Sequence, residues 1–272
     1  MNALRTAPLA DLRQGLHTSC SQIKAYVGCS QKFLYQYVLG VPPSHRPIAL
    51  SFGSSVHAAL EMFYQRLRDT GEKPPLAEIQ SAFVDRLDVE LADTSIPLRF
   101  DEGQDAGTIK DLGVAVLTAF WDQGFVPDQV LAVEQPFAVD LADPETGEVL
   151  DIPLIGAIDL VAVHGGQTVL VEHKTAARRF DQTRLAYDFQ PTAYQYASHQ
   201  IHLPNPQLVF QILLKSVKKP TVENIPVTRS RSSEVEMLST FVQVLRGVEA
   251  GVFYRNRGWA CGDCQFRYRC GG

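Results

Sequence analysis

Two carboxylates and an ammonium group stand close together in this chain, as Asp159, Glu172 and Lys174. Residues 157–163 (AIDLVAV) and 168–174 (TVLVEHK) are rich in Val, Ile and Leu, and His164-Gly165-Gly166-Gln167 separates them. A Gly-Gly pair between two such runs predicts a tight β-hairpin. With Gly165 and Gly166 as the loop, His164 pairs with Gln167 and Asp159 falls directly opposite Glu172. Directly opposed side chains have Cβ atoms roughly 4.5–5.5 Å apart, where like charges repel. Period-two alternation puts Lys174 on the face of Glu172. Such an arrangement is costly unless a cation lies between the carboxylates, and carboxylate oxygens suit Mg²⁺ or Mn²⁺. An ion of that kind makes a hydroxide nucleophile and neutralises charge on a phosphate. Metal-assisted hydrolysis, as of a phosphodiester, is chemistry that such a group permits. The His173 carbonyl is a third candidate ligand, and Lys174 would orient the attacking water or stabilise the pentavalent transition state. The competing reading is a solvated sheet face. Against it, the residues flanking these charges are almost wholly apolar, as in a strand buried on both sides.

Further candidates lie outside the hairpin. His57, in Phe52-Gly53-Ser54-Ser55-Val56-His57, sits one residue off an apolar helical stripe. It is either a core histidine or a ligand that shifts preference toward Mn²⁺, because imidazole is the softer donor. Glu134 interrupts an apolar strand and either faces solvent or points into the same cleft. Gln190 and Tyr194 are neighbours on a helix by their spacing of four and could position a phosphate or a base, with core packing the alternative for Tyr194. Cys261-x-x-Cys264-x(5)-Cys270 closes the chain and Cys29 stands near its start. Four such thiols suit zinc or an iron–sulfur cluster.

These groups need a scaffold, and the chain has the material for one. It has 272 residues, of which 45% are hydrophobic and 20% charged. That suits a soluble globular protein with a real core. No apolar run is long enough to span a bilayer, and no export signal opens the chain, so a cytoplasmic location is expected. Five cysteines bunched at the two ends do not form a secreted disulfide framework. The formal net charge is −5. Short basic groups nevertheless recur at Arg178-Arg179, Lys215-Lys218-Lys219, Arg229-Arg231, Arg255-Arg257 and Arg267-Arg269, permitting a track over phosphates.

Periodicity predicts helices at 19–39, 54–68, 77–91, 107–122, 191–201 and 233–249, the last opened by a Ser233-x-x-Glu236 capping box. Strands are expected at 129–139, 148–155, 157–163, 168–174, 207–216 and 221–228. Residues 1–18 are expected to be mobile and 19–272 to form one α/β domain with a mixed sheet.

Taken in order, six pieces resemble the RecB-like branch of the PD-(D/E)XK nucleases. They are Ser21-Gln22-Ile23-Lys24-Ala25-Tyr26-x-x-Cys29, Phe52-Gly53-x-x-Val56-His57, Gly156-x-Ile158-Asp159, Glu172-x-Lys174, Gln190-x-x-x-Tyr194 and the C-terminal cysteines. The resemblance reaches from Ser19 to Cys270. It implies a restriction-endonuclease-like core, a central mixed sheet flanked by helices, and metal-dependent DNA cleavage with His57, Asp159, Glu172 and Lys174 at the active-site positions. Cysteine-bearing members hold a [4Fe–4S] cluster, so the resemblance favours that group over zinc on Cys29, Cys261, Cys264 and Cys270, tying the two ends of the chain. Ser30 and Pro191 depart from the family's usual residues without removing a functional atom. No helicase motor is present. The expectation is a stand-alone exonuclease preferring single-stranded ends, in repair, recombination, phage or CRISPR-linked processing, with a helicase or recombination protein as partner. The rivals are a non-catalytic DNA-binding module and an endonuclease or junction resolvase.

Overall fold

The computed structural model describes residues 7–203, 205–215 and 219–271. Residues 1–6 of the expected mobile segment, and Lys218 of the basic groups, lie outside the described residues. The elements run in the order α1 (Leu9–Leu12), α2 (Cys20–Gly28), α3 (Ser30–Phe33), β1 (Arg46–Pro47), α4 (Ile48–Thr70), α5 (Leu76–Ala92), β2 (Leu98–Arg99), α6 (Ala106–Gln123), β3 (Gln129–Val139), β4 (Leu154–His164), β5 (Gln167–Ala176), α7 (Gln182–Tyr187), α8 (Phe189–Gln200), β6 (Gln207–Leu214), β7 (Thr221–Val227) and α9 (Arg231–Glu249). Strands β3-β4-β5-β6-β7 form one mixed sheet, and β1 pairs with β2. Among the described residues no helix is long and apolar enough to cross a membrane.

The chain divides into two compact units: residues 1–46, 136–156 and 229–272, and residues 47–135 and 157–228. The second unit carries the hairpin. Gly165 and Gly166 take φ of 58° and 75°, the left-handed values that a two-residue turn requires and glycine adopts without strain. His164 pairs with Gln167, and the antiparallel register runs to Leu160 opposite Val171. Strand β6 lies parallel to β5. A parallel neighbour needs a long crossover, and α7 and α8 supply it. On one face of the sheet Leu160, Ala162, Val169, Val171 and Leu213 pack with Phe52, Val56, Leu60 and Phe63 of α4 and with residues of α5 and α6. On the other, Phe180, Leu185, Phe210 and Ile212 form a smaller core. Helix α4 ends where Gly71 turns left-handed at φ 75°.

In the first unit the two ends of the chain are joined by hydrogen bonds. Tyr26 OH donates to Val252 O at 2.6 Å, Asn256 Nδ2 to Gly28 O at 3.0 Å, and Tyr35 OH to Arg269 O at 3.2 Å. Within the segment expected to be mobile, Leu9–Leu12 is helical and Thr18 bridges Leu154.

Several elements differ from the expectations. The helix predicted over 19–39 breaks at Cys29, which is extended at φ −165°. Gly28 precedes it, and Ser30 Oγ is drawn to Tyr254, donating to its carbonyl and accepting from its amide. Of the strand predicted over 148–155, Val149 makes a single bridge with Ala142, and Leu154 and Ile155 are the start of β4. Gly156, read as a boundary, lies inside β4; a Cβ there would fall 2.6 Å from Phe137 Cζ, so the glycine marks a close approach. Helix α9 is capped by Ser230, which forms a capping box with Ser233, two residues beyond the helix start. Helix α7 was not expected; Asp181 accepts from Arg184 N to cap it.

Candidate active site

The second unit brings together His57 from α4, Glu134 from β3, Asp159 from β4, Glu172 and Lys174 from β5, and Gln190 and Tyr194 from α8. The register of the hairpin continues outward by one residue to Asp159 and Glu172, but backbone pairing stops at Leu160 and Val171. There the His173 amide donates to Asp159 Oδ2 at 2.8 Å. The carboxylate thus takes a backbone donor at the point where the two strands part. His57 Nδ1 lies 3.8 Å from Asp159 Oδ2. Its Nε2 lies 3.1 Å from the His173 carbonyl. A carbonyl only accepts, so Nε2 carries the hydrogen and Nδ1 presents a lone pair. A metal-binding histidine is oriented in this way, through a bond from its other nitrogen. The His173 carbonyl, expected as a ligand, therefore has one lone pair engaged by His57. The His173 ring points into the core, stacked on Tyr64 at 5.4 Å between centroids.

Glu172 is 2% exposed and both of its oxygens accept hydrogen bonds. Lys174 Nζ and Tyr194 OH both bond it closely, and Gln190 Nε2 donates to Oε2 at 2.9 Å. Gln190 Oε1 also accepts from Lys174 Nζ at 3.0 Å. Tyr194 OH lies 2.8 Å from Ala157 O. Gln190 and Tyr194 were read as able to position a phosphate or a base, with core packing the alternative for Tyr194. They are turned instead to Glu172, and Tyr194 is buried. Both therefore bond Glu172, and Gln190 bonds Lys174 as well.

Charge is concentrated here with little solvent to screen it. Burial, then Glu172 and Glu134, push Asp159 well above the usual carboxylate range. Burial, then Glu61 and Glu172, raise Glu134 to about 7. Burial lowers His57 and so favours its neutral, ligand-competent form. Burial opposes the charge of Lys174, but the Glu172 carboxylate outweighs it and the lysine is held above its ordinary value. The ligand atoms of His57, Glu134 and Asp159 lie within 4.8 Å of one another, a group that could hold a metal ion. One imidazole nitrogen and two carboxylates suit Mn²⁺ or Mg²⁺, and a cation there would relieve the repulsion that raises both acids.

Glu134 takes φ of 48° within β3. A non-glycine residue in that region is strained, and such strain clusters at functional sites. Its sequence signal was the interruption of an apolar strand. Glu61 escaped the sequence reading. It lies one helical turn after His57, and that spacing of four was the signal available.

In the first unit Cys29, Cys261, Cys264 and Cys270 are free thiols lining one cavity of about 270 Å³. Cys20 is not among its lining residues.

The family model for the PD-(D/E)XK nuclease superfamily matches residues 17–271. The chain belongs to the PD-(D/E)XK nuclease superfamily. This superfamily uses divalent metals to cleave phosphodiester bonds, in keeping with the acidic group around Asp159. No curated protein matches the chain in sequence. Among solved structures, one from Eubacterium rectale named "Putative exonuclease" shares the PD-(D/E)XK-like fold of this chain at a TM-score of 0.55. It has 14% identity over 89% of this chain and 84% of its own. The structure of SSO0001 aligns over 92% of this chain and 94% of its own at 14% identity, but its TM-score of 0.37 carries no weight.

Proposed function

We propose that this nuclease is a DNA exonuclease acting on single-stranded ends, with Mg²⁺ or Mn²⁺ held by His57, Glu134 and Asp159 beside Glu172. The observation that carries the reading is the buried acidic group with a lone-pair nitrogen at its edge, next to a charged lysine. A binding module has no use for carboxylates forced above their ordinary range. A bound divalent ion supplies positive charge against the phosphate and lowers the pKa of water. Lys174, kept charged by Glu172 and oriented by Gln190, donates to charge developing on the phosphate. Tyr194 and Gln190 fix Glu172 so that the lysine cannot wander. His57 and Lys174 have side chains 32% and 28% exposed, so substrate can approach from their side while Glu172 stays dry.

The exonuclease assignment draws support from the name borne by the Eubacterium rectale neighbour. That likeness speaks for the fold, so the activity needs its own test. Purified protein with Mn²⁺ should degrade end-labelled linear single-stranded DNA and leave circular single-stranded DNA intact. Equal cleavage of the circle would turn the reading to an endonuclease.

For the thiol cavity we propose a [4Fe–4S] cluster on Cys29, Cys261, Cys264 and Cys270, acting as a staple across the chain. The four thiols line one cavity of about 270 Å³, and a cubane cluster takes four thiolate ligands.

A further inference from the structure

Trp259 is 94% exposed, the most exposed large apolar side chain among the described residues. It opens a short 3-10 turn, Trp259–Cys261. Leaving an indole in water forgoes the stabilisation of burying it, so the fold gains nothing from this placement. Arg255 and Arg257 precede it and Arg267 and Arg269 follow it, all exposed. Arg255, Arg257, Arg267 and Lys32 line the cavity that the cysteines share. Several other arginines are paired: Arg179 with Glu223, Arg231 with Glu234, Arg246 with Asp143. These four arginines and Lys32 have no carboxylate partner among the described residues. On a chain of formal charge −5, the cations here reverse the local sign.

Unpaired cations flanking an exposed ring in the chain, beside a cavity that Gly258 and Cys261 line with three of these arginines and Lys32, are the ingredients of single-strand binding: the cations follow phosphates and the ring stacks on a base. A duplex offers no open base face along its length, so a fully projecting indole selects an unpaired base. We infer that this surface of the first unit anchors single-stranded nucleic acid, with Trp259 stacking on a base and Arg255, Arg257, Arg267, Arg269 and Lys32 contacting phosphates. The inference rests on the nuclease reading and deepens it, assigning strand-holding to residues outside the candidate active site.

Trp259 is one of two tryptophans; the other, Trp121, donates Nε1 to Pro74 O at 2.9 Å. Trp121→Phe therefore leaves a reporter at the surface in question. Without added divalent ions, an oligomer of about twenty thymidines should quench its emission, with an affinity that falls as salt rises. Trp259→Ala should weaken binding of that oligomer about tenfold, and Trp259→Phe should restore most of it. Arg255→Ala with Arg257→Ala should flatten the salt dependence. Hydrolysis of bis(p-nitrophenyl) phosphate, too small to span the surface, should be unchanged in all of these variants. Unchanged oligomer binding in Trp259→Ala would overturn the inference, as would equal quenching by heparin or by a duplex of the same length. If the variants lose binding while wild-type protein cleaves no DNA, the anchor stands and the nuclease reading falls. If DNA is cleaved but binding ignores Trp259, the nuclease stands and the anchor falls.

Discussion

Lys174 and Glu172 form a close ion pair, and Gln190 and Tyr194 bond the same carboxylate. Removing the ammonium leaves a buried carboxylate with two neutral partners, while the partly exposed lysine itself contributes little packing. Lys174→Ala should therefore cut cleavage by roughly a hundredfold or more while circular dichroism and DNA affinity stay near wild type. Wild-type turnover in that variant would remove the lysine from the mechanism. His57→Ala should cost more activity in Mn²⁺ than in Mg²⁺, since imidazole is a preferred ligand of the softer ion; equal losses would make His57 a packing residue.

The acids carry a pH signature. Glu134 is raised from 4.5 to about 7, so the folded protein keeps a proton that the unfolded chain releases. Stability from this group is present below its ordinary pKa and is lost as pH rises through about 7. Metal binding needs the carboxylate deprotonated. Metal-free protein should thus lose Tm from about pH 5 to pH 8, Mn²⁺ should raise Tm most at the upper end, and Glu134→Gln should flatten both trends. A Mn²⁺ shift independent of pH would separate Glu134 from the metal.

At the scale of elements, the parallel pairing of β5 with β6 is what delivers α8. The crossover it demands lays a helix against the β5 face bearing Glu172 and Lys174, and its first turns carry Gln190 and Tyr194. Tyr194→Phe keeps the ring in its buried slot and removes the hydroxyl that contacts Glu172. Turnover should fall by about tenfold with little change in DNA affinity, as expected when a group that orients the lysine is loosened. A change in affinity with turnover intact would instead place Tyr194 in substrate binding. Helix packing offers a second check. A Cβ on Gly113 would fall 1.9 Å from Phe83 Cζ, so Gly113→Ala should force α5 and α6 apart at a cost of about 1–3 kcal/mol, read as a lowered denaturant midpoint.

For the whole molecule, the thiol cavity joins residues from both ends of the chain, so a group held there closes a loop of nearly its full length. A bound cluster contributes its binding energy to folding. Protein purified without oxygen should be brown and contain iron. Cys261→Ala should be colourless and poorly soluble, and Cys20→Ala should keep the colour. One zinc and no iron by elemental analysis would keep the staple and replace its occupant.

Alternation and turn chemistry fixed the hairpin locally: two glycines set the loop, and counting outward aligned Asp159 with Glu172 and put Lys174 on the same face. Those relations follow from a period of two and a short loop, both properties of contiguous chain. The amphipathic helices were legible for the same reason, because their stripes are written in nearby residues. What depended on distant residues was not legible. The break at Cys29 is set by bonds between Ser30 and Tyr254, and the place of Gly156 inside β4 by Phe137. The left-handed turn at Glu134, its nearness to His57, the repulsion from Glu61 and the closing of Gln190 and Tyr194 onto Glu172 arise only when strand, helix and crossover meet. Short-range periodicity carries no record of which side chains tertiary packing brings together, and there the three-dimensional structure alone decided the site.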